Sequence, residues 1–134
     1  LQQATDFYRA EFWDKIHGDE LPGKIAVAAF DMAVHSGPRI ASRTLQVALG
    51  VAVDGEIGPQ TIKAAYERGE EGLVDFLAER TRYLSNIMIA DESQVGWARN
   101  WFRRLFKLAN VVLEGEGVDF PGADSQKGPQ GQAV

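Results

Sequence analysis

Three carboxylates, Glu11, Glu20 and Asp31, are the candidates for acid–base chemistry in this sequence. A carboxylic acid in a partly apolar site keeps its proton near neutral pH and can act as a general acid. Glu11 follows Tyr8 by three residues and is bracketed by Phe12 and Trp13, yet on a helix near the chain start it reads first as a solvated side chain. Asp31 is better placed. It lies in IAVAAFDMAV, Ile25 to Val34, which is apolar almost all round and reads as a central helix. Lys24, Ala28, Asp31 and His35 recur at three- and four-residue spacings and therefore share one face of it. A polar stripe on a buried helix needs polar surroundings, which a solvent-filled cleft or a partner segment supplies. The simplest local partner for Asp31 is His35, one helical turn on.

The rest of the chain must position that stripe. Its 134 residues suit one domain, and 45% hydrophobic with 25% charged residues fits a globular fold. There is no cysteine and there are two histidines, so disulfides and Cys- or His-rich metal sites are not expected, and no cofactor is implied. A net charge of −5 argues against a general nucleic-acid binder, and no apolar run approaches the ~20 residues of a membrane span. The spacing predicts a helix from about Ala4 to Trp13, stopped near His17-Gly18, then the central helix after Leu21-Pro22-Gly23. Ser36-Gly37-Pro38 starts a third helix, with Ile40, Ala41, Thr44, Leu45, Ala48 and Leu49 inward, and Gly50 ends it. Asp54-Gly55 is a tight-turn signal, and Gly58-Pro59 opens a short helix ended by Gly69. A long helix follows through Leu73, Phe76, Leu77, Tyr83, Leu84, Ile87 and Met88. The last helix sets Trp97, Trp101, Leu105, Leu108 and Val112 against Arg99, Arg103 and Lys107. The fold class is all-α, about six helices over residues 1–113. Residues 114–134 are rich in Gly, Pro and small polar residues and read as a flexible tail.

LQVALGVAVDGEIGPQTIKAA, Leu45 to Ala65, resembles the repeat signature of peptidoglycan-binding modules. FWDKIHGDELPGKIAVAAFDMAVHSGPRIASRTLQ and QVGWARNWFRRL resemble the C-terminal part of the glycoside hydrolase family 108 muramidases, which include endolysins and secretion activators. The resemblance spans roughly Ala4 to Val112. It implies a lysozyme-like helical domain and, in the full-length parent, β-1,4 cleavage of peptidoglycan glycan strands. The family's catalytic Glu lies in an E-G-G-Y type motif followed by a D-P-G-G segment. Neither occurs here, so the chain is expected to begin just after them and to be inactive alone. His35 stands where the family usually has Asn.

The resemblance makes Tyr8, Trp13, Asp31, His35, Ser36 and Gln46 the candidate substrate-binding residues, with no catalytic residue and no metal. Asp31 would line a sugar groove. His35 would hydrogen-bond a sugar as Asn does, or be structural. Ser36 would cap a helix or bind, and Gln46 would face the groove or satisfy a buried carbonyl. Tyr8, Trp13 and Trp97 offer flat apolar faces for sugars, and Trp13 is the aromatic expected to be most exposed. Arg99, Arg103, Arg104 and Lys107 form a basic cluster whose ordinary reading is a solvated face, with anionic wall polymers or phosphates as rivals. The leading function is the groove lobe of an N-acetylmuramidase; the alternatives are a stand-alone non-catalytic peptidoglycan-binding module or a helical adaptor. A missing first lobe would expose the face near Ala28 and Asp31, so self-association or a rearranged first helix is expected. No targeting segment is visible, and any route to the wall would be supplied elsewhere.

Overall fold

The computed structural model describes residues 2–114; the predicted tail from residue 115 lies outside them. The described residues contain helices and no strand. In chain order the α-helices are α1 (Gln2–Tyr8), α2 (Gly23–Ser36), α3 (Pro38–Leu49), α4 (Pro59–Ala90) and α5 (Ala98–Glu114). A π-helical turn, Arg9–Trp13, and two 3₁₀ turns, Asp14–Ile16 and Gly18–Glu20, join α1 to α2. A further 3₁₀ turn, Glu92–Trp97, joins α4 to α5.

Apolar burial accounts for the arrangement. Ile25, Ala26, Ala28, Ala29, Met32 and Ala33 of α2 are almost wholly buried, which makes α2 the central helix its composition predicts. The small alanines let neighbours approach closely. α2 packs on α3, α3 on α4, and α5 crosses both α2 and α4. Leu45 of α3, Leu73 and Phe76 of α4, and Leu105 and Val112 of α5 complete one core. The two predicted helices on either side of Gly69 run as one element, α4, broken at that residue. Gly69 has φ 53° and ψ −128°, which a side chain would make costly, so the helix changes direction there.

The start of α2 and α3 departs from the expectation in detail. The residue with left-handed backbone after the first helical run is His17, at φ 54°, and not Gly18. Gly18 is small for another reason: a Cβ there would lie 2.3 Å from the Trp13 ring. α3 is capped by Gly37 with no side-chain hydrogen bond, and Ser36 is the last residue of α2. Spacing puts Trp97 on the inward face of the last helix. It belongs instead to the preceding 3₁₀ turn and is 54% exposed. Ala28 is fully buried, so the face expected to stand open is closed there, whereas Asp31, though bonded by Arg80 of α4 and Arg104 of α5, keeps part of its surface open. The exposure falls on α1, which buries no residue.

The corner between α3 and α4 is built around Gln46. Its Nε2 donates to Asp54 Oδ1 at 2.9 Å, the Glu56 carbonyl at 2.9 Å and Thr61 Oγ1 at 3.2 Å. Its Oε1 accepts from the backbone N–H of Asp54 at 3.1 Å and of Gly55 at 2.9 Å. Gly55 takes φ 83°, the left-handed turn position predicted for Asp54-Gly55. Gly58 is extended and simply precedes Pro59 at the start of α4.

Candidate functional site

A groove of about 550 Å³ lies between the first helical run and α2, within the size range of small-molecule sites. Ala4, Thr5 and Tyr8 of α1 form one side. Arg9 and Trp13 of the π turn form its end, Phe30, Asp31 and Val34 of α2 its floor, and Arg104 of α5 the far wall. The π turn closes with the Asp14 N–H bonded to the Arg9 carbonyl, five residues back.

Trp13 is half-buried rather than open. Its ring meets Phe30 edge-on, with centroids 5.7 Å apart, and lies against Gly18. Its indole N–H donates to Asp19 Oδ1 at 3.0 Å, and Arg9 Nη2 donates to Asp19 Oδ2 at 2.5 Å. The Trp13 hydrogen bond, followed by the Arg9 charge, holds the Asp19 carboxyl below its ordinary value. One exposed carboxylate thus fixes two of the groove's side chains. Tyr8 is 45% exposed and packs against Phe7 and Phe12 at centroid distances of 5.6 and 5.7 Å.

Asp31 is held by two arginines. Arg80 Nη1 donates to Oδ2 at 2.7 Å, and Arg104 donates Nε to Oδ2 at 3.3 Å and Nη2 to Oδ1 at 3.1 Å. Burial pushes the Asp31 carboxyl up, but the hydrogen bonds and charges of Arg104 and Arg80 outweigh it and leave the pKa below 3.8. An acid that stays ionised cannot deliver a proton to a leaving group. Arg80 is fully buried, and His35 Nδ1 lies 3.2 Å from its Nη2. Burial, then the charges of Arg104 and Arg80, push His35 below its ordinary 6.5, so the ring is neutral and accepts from Arg80. His35 also meets Trp101 edge-on at 6.2 Å.

The structure therefore brings Tyr8, Trp13 and Asp31 into one groove and leaves three other candidates outside its lining. His35 sits behind Asp31 in the arginine network, Ser36 closes α2, and Gln46 is buried in the α3–α4 corner. The partner of Asp31 is not His35. Glu11 pairs with Lys15 and Glu20 with His17, both at the surface. Among the described residues Asp31 is the only carboxylate lining the groove. Among the described residues no cluster of three His, Cys, Asp or Glu could hold a metal ion.

Arg80 and Asp19 were not singled out in the sequence. Arg80 carried a usable signal: it falls on the apolar stripe of Leu73, Phe76, Leu77 and Leu84 in α4, where a cation demands a buried partner. Arg104 was grouped with the basic cluster, but it turns inward to Asp31 and separates the groove from a second depression of about 600 Å³ lined by Asn100, Arg103, Lys107 and Val111.

Residues 40–106 match the family described as Predicted Peptidoglycan domain, and residues 1–37 match Glycosyl hydrolase 108. The first match spans half the chain, and the chain belongs to that family. Among solved structures it is similar to SagA of Brucella abortus, at 30% identity and a TM-score of 0.75. That similarity covers 84% of this chain and 63% of SagA, so the chain spans less than two-thirds of that protein's length. No curated protein sequence matches it.

Proposed function

We propose that the chain recognises peptidoglycan glycan strands as the C-terminal lobe of an N-acetylmuramidase, whose full-length form cleaves β-1,4 glycosidic bonds. The observation that carries this reading is the pair of family matches in sequence order, Glycosyl hydrolase 108 followed by Predicted Peptidoglycan domain. The groove suits the ligand class. Tyr8, Trp13 and Phe30 offer flat apolar surface, and an ionised Asp31 with Arg9 and Arg104 offers fixed acceptors and donors for hydroxyl and amide groups.

Catalysis is not assigned to these residues. Among the described residues Asp31 is the one carboxylate lining the groove, and Arg104 and Arg80 hold its pKa below the ordinary value, which suits binding better than proton donation. Retention on insoluble peptidoglycan tests the binding. The full chain is expected to be retained, and Tyr8→Ala to weaken retention several-fold while leaving the fold intact, because Tyr8 is half-exposed. A folded chain that washes through would sink the reading. Purified cell walls are expected to keep their turbidity with this chain alone.

Self-association through the face near Asp31 belongs to the same reading, since Tyr8 stands exposed beside Asp31 and Phe7 is exposed next to it. Light scattering that rises with concentration, and falls for Phe7→Ser, is the expected result.

A further inference from the structure

We propose that the outer face of α5 docks on an anionic phospholipid bilayer. The face adjoins the groove at Arg104 and Asp31, and the function above does not use its outer cations. Arg99, Arg103 and Lys107 follow one another at four-residue spacing along the solvent side of α5, with Phe102, Phe106 and Asn110 between them around a shallow depression of about 450 Å³. Among the described residues none of these three cations has an ion-pair or hydrogen-bond partner, whereas Arg104 beside them is committed to Asp31. The helix carries one acid, Glu114, at its last position. A chain of net charge −5 thus concentrates unpaired positive charge on one ridge.

Charge alone would suit any polyanion. The apolar side chains on the same helix narrow the choice. Phe106 is 70% exposed and Val111 60%, although Leu105, Leu108 and Val112 already supply the core contact of α5. A soluble polyanion uses the cations and leaves these side chains in water. An anionic bilayer uses both: the headgroup phosphates meet Arg99, Arg103 and Lys107, and Phe106 and Val111 enter the boundary between headgroups and acyl chains. Phe106 could stack on a base, but Val111 and Leu113 could not, and a bilayer takes up all three.

Co-sedimentation with vesicles tests this on the full chain. It is expected to pellet with phosphatidylcholine vesicles containing phosphatidylglycerol, to stay in solution with phosphatidylcholine alone, and to be released by added salt. Replacing Arg99, Arg103 and Lys107 together by Gln is expected to weaken binding on the order of 100-fold, since each cation near an anionic surface is worth about fivefold. Phe106→Ser should weaken it as well. Both variants keep the core intact, so unchanged melting and unchanged peptidoglycan retention are expected. Equal pelleting with neutral vesicles, or undiminished pelleting of the triple variant, would overturn the proposal. So would the absence of vesicle binding alongside tight binding of a single-stranded oligonucleotide.

Discussion

Asp31, Arg80, Arg104 and His35 show how one carboxylate comes to hold three helices together. Arg80 has no exposure to water, so its charge depends on Asp31, and among the described residues its Nε has no hydrogen-bond partner. Removing a partner from a buried charge is costly in a way that removing the pair is not. Asp31→Ala is therefore expected to lower stability by about 3 kcal/mol, read by denaturant unfolding, with Asp31→Ala/Arg80→Met losing less than the single change. The network also sets a pH dependence. Arg80, Arg104 and Asp31 are the charges that face His35, and Trp101 packs on its edge. With the folded pKa below 6.5, the unfolded chain takes up the proton first. Stability is thus intact above 6.5 and is lost as pH falls from there toward the folded value. His35→Asn keeps an acceptor for Arg80 without the titration, so its stability should stay flat over that window, measured by melting temperature against pH. The stripe of Lys24, Ala28, Asp31 and His35 was legible from spacing alone. Its partners were not, because Arg80 and Arg104 lie 49 and 73 residues further along. No local pattern reports a pairing at that separation.

The α3–α4 corner is the converse case at the scale of elements. The side-chain hydrogen bonds of Gln46 span 8 to 15 residues, so the Gly50 stop, the Asp54-Gly55 turn and the Pro59 start announce the geometry directly. What spacing left open was the role of Gln46, and the structure places its amide at the centre of the turn. Gln46→Leu would strand the buried Gly55 N–H, at about 1–3 kcal/mol, and would also remove the acceptor of the part-buried Asp54 N–H. A loss of at least about 2 kcal/mol in urea unfolding is the expected outcome; a smaller loss would mean that the turn holds itself. The π turn and the two 3₁₀ turns before α2 were less legible. The apolar spacing there fits an ordinary helix, and only the fit of the Trp13 ring against Gly18 explains the break. Gly18→Ala forces that ring to move, since its Cβ would meet it at 2.3 Å. The expected result is a shift in tryptophan emission and a weaker grip on peptidoglycan, with the corner unaffected.

At the scale of the whole molecule, stability is unevenly distributed. α2 to α5 share one core, whereas α1 has no buried residue and meets the rest mainly through the π turn that follows it. α1 continues with helical backbone into the π turn, so its anchorage comes from that turn and not from its own 7 residues. Yet α1 supplies one whole side of the groove through Ala4, Thr5 and Tyr8. The site therefore joins a firm floor to a wall with few anchors, and ligand binding should order that wall. Hydrogen exchange makes the point measurable. Amides of α1 are expected to exchange with almost no protection while those of α2 exchange only through global opening. Soluble peptidoglycan fragments should then raise protection in α1 and the π turn and leave the corner unchanged. Protection of α1 equal to that of α2 in the free chain would show that contacts beyond these hold it. An increase confined to α5 would move the binding surface away from the groove.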